Sequence, residues 1–211
     1  MRIPTSPSAA PRRLIRRGWL PVLLAAVFGL VSALGTTPAG AQVQGRRMKK
    51  AGIQLQDPPL ISPRVLERVT PENSSVLIIL SRQRAFLMLG GEIAIDTPVS
   101  TGKAAGMTPT GSFRISEKDK DHRSNLYGNF VDSRGRVVRA GVSVRIDSAP
   151  SGTRFVGAPM AYFMRVHGAV GMHVGYLPGY PASHGCIRMP ANIAPQFYER
   201  VKIGTPVEII R

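Results

Sequence analysis

The sequence predicts a mainly β domain of antiparallel hairpins. Three features carry that expectation: short apolar runs, polar or glycine links of a few residues between them, and a single segment with a sustained helical period. The first run is Ser75–Leu80, and the polar turn Ser81–Arg84 leads into Ala85–Leu89. Gly90-Gly91 then separates that strand from Ile93-Ala94-Ile95, the next arm of a hairpin. Pro98–Gly102 and Thr108–Ile115 add strand-and-turn segments. The polar stretch from Lys118 to Arg139 carries Asp119, Asp121, His122, Asp132 and Arg134, and is expected as a long surface excursion. One later segment is helical: Asn192 is its expected cap, Pro195 falls in the first turn, and Gly204 closes it. Within it Ile193, Phe197 and Val201 recur every fourth residue as an inward apolar stripe. Thr205–Ile210 supplies a last strand.

The beginning of the chain sets the expected compartment. Arg2, Arg12, Arg13, Arg16 and Arg17 precede an uncharged run from Gly18 to Gly35, and Ala39-Gly40-Ala41 follows. A basic start, an apolar middle and a small-x-small site describe a secretory signal peptide over 1–41, cut before Gln42. The alternative is an uncleaved anchor, since about 18 apolar residues can span a bilayer. Pro21 and internal glycines weaken it, and membrane contact is expected only through this segment if it is retained. Arg12-Arg13 also faintly resembles a twin-arginine export signal, a match that Arg16-Arg17 muddles. The expected location is therefore the periplasm or cell envelope. Residues 42–72, with Arg46-Arg47, Lys49-Lys50 and four prolines, read as a basic lead or linker with room for a brief helix at Val65–Val69. Residues 73–211 are about 140 long, an ordinary size for one domain.

The whole chain has a net charge of +16. Without residues 1–41, which hold five arginines and no acid, the net charge is about +11. Such an excess favours polyanions, which for an exported protein are the cell wall, its attached polymers and lipid head groups. A solvated surface is the plainer account of part of it. Nucleic acid is not expected as a partner, because helix-turn-helix, zinc-finger and aromatic stacking motifs are all missing.

Cys186 is the only cysteine, in Ser183-His184-Gly185-Cys186-Ile187-Arg188-Met189. A lone thiol cannot form an intramolecular disulfide, and exported proteins that rely on disulfides carry even numbers of cysteines. Nucleophilic catalysis by sulfur needs a thiolate, a base to make it, and backbone N–H groups to receive an oxyanion. The plain alternative is a small buried hydrophobe. A core strand, however, would flank it with Val, Leu or Ile rather than Ser-His-Gly and Arg. His173, in Gly171-Met172-His173-Val174-Gly175, lies thirteen residues upstream across a loop containing Pro178 and Pro181. His167 competes as base; on one unbroken strand the two histidines would share a face, but Gly168 and Gly171 interrupt it. His173 is preferred because its flanking glycines leave room for a substrate backbone.

Ser183–Arg188, reading S-H-G-C-I-R, resembles the signature of the YkuD-type L,D-transpeptidases, bacterial cell-wall cross-linking enzymes. Gly171–Gly175 is similar to that family's histidine segment, and Val99–Gly102 and Thr108–Phe113 also match its pattern. The resemblance covers roughly 73–211. It implies a mainly β catalytic domain, an antiparallel sandwich or barrel-like fold with a few short helices, one near the C-terminus, and the cysteine at the mouth of a cleft. It further implies Cys186 as nucleophile, His173 as proton acceptor and donor, and the backbone N–H groups around Gly185 and Cys186 as the oxyanion hole. Val174 follows His173 where the family often has Gly, Ser or Thr, but any residue supplies the carbonyl that orients the ring. The implied reaction is acyl transfer. Cys186 attacks the third residue of a peptidoglycan tetrapeptide stem and D-alanine leaves. An amine then takes the acyl group, giving a 3→3 cross-link or attaching an envelope protein. The resemblance implies no cofactor and no metal.

Other residues carry open alternatives. His184 tunes the thiol or makes a structural hydrogen bond; Arg188 binds a stem carboxylate through its fork or braces the loop. Ser183 shapes the turn. His122 and the segment to Tyr127 and Gly128 resemble a stretch near the cleft in part of the family, and read otherwise as a solvated loop. Three rival functions stand beside transpeptidation: an L,D-carboxypeptidase in which water resolves the thioester, a zinc hydrolase using His173, His184 and Cys186, and a wall-binding protein without catalysis.

Overall fold

The computed structural model describes residues 56–211. The expected signal peptide at 1–41 and the first part of the lead lie outside the described residues. In chain order the elements begin with β1 (Leu60–Ile61), α1 (Pro63–Leu66), β2 (Ser74–Ile79), β3 (Arg84–Leu89), β4 (Glu92–Pro98) and β5 (Gly111–Arg114). They continue with β6 (Glu117–Asp119), β7 (Arg123–Val131), β8 (Val137–Ser143), β9 (Arg154–Pro159), β10 (Phe163–His167) and β11 (Val170–Val174). The last are β12 (Ile187–Met189), α2 (Ala194–Arg200) and β13 (Pro206–Ile210). The expected hairpin β2–β3–β4 forms in antiparallel register.

Three sheets result, ordered β1-β4-β3-β2-β13-β5, β12-β11-β10-β6 and β8-β7-β9. The first two enclose the main core. Val76, Ile78, Leu87, Ile95, Val207 and Ile209 come from the six-stranded sheet; Met164, Met172, Ile187 and Met189 come from the four-stranded one. The alternation that makes β2 a strand is visible in its burial: Ser74, Val76 and Ile78 are buried while their neighbours are partly exposed. In α2 the fourth-residue stripe is realised, with Ile193, Phe197 and Val201 all 0% exposed.

Three expectations are corrected. The sheets are not purely antiparallel, because β13 runs parallel to β2 and β12 parallel to β11. A parallel pair needs a crossover of about a dozen residues, and the segment from Gly175 to Cys186 is that crossover. The stretch Lys118–Arg139 is not a loop: it holds β6, β7 and the start of β8. Its strands escaped notice because β8 is exposed at five of seven positions, so no apolar alternation marks it. The helix cap is Ile193 rather than Asn192 and makes no side-chain cap bond. Before the hairpins, β1 pairs with β4, the brief helix spans Pro63–Leu66, and Val69 is 6% exposed in the core.

Candidate active site

The site is laid out by the register of β11 and β12, where Met172 lies opposite Ile187 and His173 opposite Arg188. Opposed residues of a pair share a face, and successive residues alternate. Met172, Ile187 and Met189 are fully buried in the core, so His173 and Arg188 face the other side. Cys186, two residues before Arg188, joins them there. That face borders a cleft of about 670 Å³ whose walls include Cys186, His173, His184, Arg188, His122 and Tyr127.

The turn that presents Cys186 is held by short hydrogen bonds. Ser183 Oγ donates to the Cys186 carbonyl at 2.6 Å and accepts from the Gly185 N–H at 3.0 Å. Thr108 Oγ1 donates to the Gly185 carbonyl at 2.6 Å and accepts from the Gly102 N–H at 2.9 Å. Ser183 N–H and Ala182 N–H both donate to the Thr101 carbonyl. Thr101 is itself clamped by the buried Gln83, whose amide donates to Thr101 Oγ1 at 2.7 Å and accepts from the Thr101 N–H at 2.9 Å. Gly185 has φ +132°, and a Cβ there would lie 2.8 Å from the Met107 carbonyl oxygen. Only glycine fits this position.

Gly185 was expected as an oxyanion donor, and its N–H is already engaged by Ser183 Oγ. The N–H groups of His184 and Cys186 make no hydrogen bond to a described residue, which leaves both available as donors on this turn. The glycines flanking His173 also serve differently from expectation. A Cβ on Gly171 would meet the Phe163 ring at 2.4 Å, and one on Gly175 would meet Arg188 Cγ at 2.7 Å. They make room for neighbouring side chains, not for a substrate backbone.

His173 is 7% exposed, and its Nδ1 lies 2.7 Å from the Val174 carbonyl oxygen. A carbonyl only accepts, so Nδ1 carries the hydrogen and Nε2 keeps a lone pair. Burial pushes the His173 pKa down to about 4; the Val174 carbonyl pulls upward, and the charges of Arg188 and His122 push down. Cys186 Sγ lies 3.5 Å from the Ala169 carbonyl oxygen, an S–H donor contact. Burial raises the thiol above its ordinary value, against the opposing pull of the Gly171 backbone, Arg165 and Arg188. At neutral pH the two groups that line this cleft are, at rest, a thiol and a neutral imidazole.

The other expected residues separate. His167 is exposed at the end of β10, with its ring 5.0 Å from Phe113, away from the cleft walls. His184 stacks on Tyr127 (4.4 Å, 15°) and its Nε2 lies 3.3 Å from Lys103 Nζ. An ammonium only donates, so that nitrogen is the acceptor; burial, then Lys103 and Arg188, hold the ring below its ordinary pKa. Arg188 is fixed by its backbone, which exchanges hydrogen bonds with Ser100. Its guanidinium bonds to no described residue. Among the described residues His173, His184 and Cys186 do not gather as metal ligands, whereas Glu117, Asp119 and His122 have ligand atoms within 4.8 Å of one another. That trio is internally paired: Glu117 holds Arg165 at 2.6 Å and Asp119 holds His122 at 3.0 Å.

Comparison with known proteins places this arrangement. The YkuD family model, an L,D-transpeptidase catalytic domain, matches residues 73–209. The chain belongs to the YkuD family. L,D-transpeptidase 1 of Mycobacterium tuberculosis is 27% identical over 136 residues, which cover 57% of this chain and 43% of that protein. The chain thus spans less than half the length of the curated relative it matches. Among solved structures, an L,D-transpeptidase from Mycobacterium smegmatis is similar at 20% identity and a TM-score of 0.49, covering 66% of this chain and 59% of that one. The crystal structure of M. tuberculosis L,D-transpeptidase 1 is similar at 24% identity and a TM-score of 0.44, covering 66% and 62%. Sequence reasoning missed two parts of this YkuD site, Gln83 and Phe163, and the contacts that Thr108 and Gly171 make, because each acts on residues distant in the chain. The strings around Thr108, His173 and Cys186 were visible; how they pack together was not.

Proposed function

We propose that this YkuD domain is a peptidoglycan L,D-transpeptidase acting in the cell envelope after export of the chain. The observation that carries the proposal is the pairing on one cleft wall of a lone thiol, Cys186, with an imidazole, His173, whose Nε2 is left bare by the Val174 carbonyl. Neither ion is favoured at rest, so proton and nucleophile move together. The Cys186 thiol gives its proton to His173 Nε2 as sulfur bonds to the carbonyl carbon of the third stem residue. The tetrahedral oxyanion meets the Cys186 N–H, a type of contact worth about 3–4 kcal/mol in other enzymes. His173, now imidazolium and a strong acid, protonates the departing nitrogen and D-alanine leaves. An amine resolves the thioester. Arg188, with its guanidinium open to the cleft, serves as the fork for a stem carboxylate. His184 and Tyr127, stacked together, tie the three-stranded sheet to the catalytic turn.

Incubation with a disaccharide-tetrapeptide followed by mass spectrometry tests this reading. Released D-alanine, a thioester on Cys186 and a 3→3-linked dimer are the expected products. Trimmed tripeptide without dimer would instead make the protein a carboxypeptidase. Cys186→Ser abolishes all three signals. His173→Ala lowers the rate of D-alanine release by at least about 100-fold, and His167→Ala leaves it within about twofold; the reverse ranking overturns the base assignment.

A further inference from the structure

His122 lines the same cleft as Cys186 and His173, and the acylation steps above give it no task. Its Nδ1 lies 3.0 Å from Asp119 Oδ2. A carboxylate accepts, so Nδ1 carries the hydrogen, and in the neutral ring Nε2 has the lone pair. That Nε2 bonds to no described residue. The ring stacks on Phe163 at 4.2 Å and 14°. Phe163 is 1% exposed, lies over Gly171, and has its centroid 6.5 Å from that of His173. One buried ring therefore neighbours two imidazoles that line one cavity.

Their surroundings differ in charge. Around His122 stand Asp119 and Glu117 on β6, Arg165 on β10 and His173 on β11; Arg165 is tied to Glu117 at 2.6 Å and lies 5.0 Å from the Phe163 ring. The carboxylate bonded to His122 compensates the positive charge that forms when Nε2 takes a proton. His173 has no bonded carboxylate and lies opposite Arg188 in the sheet. A group so placed is a strong acid once protonated, which suits expulsion of D-alanine. It is a poor acceptor for a proton from an ammonium group, which the second half-reaction must remove.

We propose that His122, oriented by Asp119, is the catalytic base that deprotonates the acceptor ammonium, while His173 handles the proton of the sulfur. The proposal rests on the transpeptidase reading. The step balances as follows. The ammonium gives one proton to His122 Nε2, and its freed lone pair bonds to the thioester carbon. The C–S bond breaks with its electrons on sulfur, and the second nitrogen proton passes through His173 to restore the Cys186 thiol. His122 then releases its proton to solvent.

Single-turnover kinetics of the purified chain with disaccharide-tetrapeptide as donor and acceptor separates the halves. His122→Phe keeps a ring stacked on Phe163 and removes both nitrogens. The expected result is a D-alanine burst within about threefold of wild type. Dimer formation at pH 7 falls by about 100-fold, with the thioester accumulating by intact mass. The deficit shrinks above about pH 9, where a growing share of the acceptor ammonium loses its proton to solvent unaided. Asp119→Asn gives the same imbalance in smaller measure, and decides the matter where the Phe variant does not fold. Equal loss of burst and dimer marks a structural role and overturns the proposal, as does unchanged dimer formation after a normal burst. A wild type without any D-alanine burst removes the transpeptidase reading and this proposal together.

Discussion

At the scale of single residues, the proposed catalytic pair, Cys186 and His173, is unlike a pre-formed thiolate–imidazolium couple. The two shifts run in the same sense: burial raises the Cys186 thiol and lowers His173, so each favours the neutral partner. The sulfur also points its hydrogen at the Ala169 carbonyl, an oxygen that would repel a thiolate. Alkylation of the free protein by iodoacetamide should therefore be slow at pH 7 and climb continuously through pH 9, since only the thiolate reacts. A rate already at its plateau by pH 7 would mean that an ion pair exists before substrate arrives. Acylation by substrate should behave otherwise. It depends on neutral His173, and should hold level from pH 7 down to about 5.5, fading only as the pH approaches the His173 value of about 4.

At the scale of elements, the paired strands β10, β11 and β12 hold the site in place by close fits at glycine. Gly171→Ala puts a Cβ 2.4 Å from the Phe163 ring and 2.8 Å from the Met164 carbonyl oxygen, which is backbone and cannot yield cheaply. A stability loss of about 1–3 kcal/mol is expected from overpacking of this kind, with slower acylation as Phe163 is pushed towards His173. Urea midpoints and burst rates check both parts. These strands also mark where sequence was readable. The hairpin β2–β3–β4 and the α2 stripe announce themselves, because their periodicity is local and their buried faces are unbroken. Parallel pairing leaves no such mark, since β11 and β12 meet only after the Gly175–Cys186 crossover. The S-H-G-C turn was legible as chemistry; its bracing by Thr108, Thr101 and Gln83 was not, because hydroxyls and amides reveal their partners only in three dimensions.

At the scale of the molecule, burying a histidine without a carboxylate partner links stability to pH. The His173 pKa falls from 6.5 in the unfolded chain to about 4 in the fold. Below pH 6.5 the unfolded chain takes a proton that the folded one refuses. This group's contribution is thus complete above pH 6.5 and is lost as the pH drops towards 4. The full difference corresponds to roughly 3 kcal/mol. Denaturation curves at pH 7.5 and 4.5 should therefore differ less for His173→Phe than for the parent; an unchanged difference would show that the imidazole is not excluded from protonation.

The position of β13 has its own consequence for how the protein comes together. It is the last described strand in the chain, yet it lies between β2 and β5 and gives β5 its only ladder in the six-stranded sheet. Until residues 206–210 arrive, two strand edges wait with open amides and carbonyls. A chain released first-residue-first would consequently keep both edges unpaired, and the six-stranded sheet incomplete, until residues 206–210 are free to insert between them.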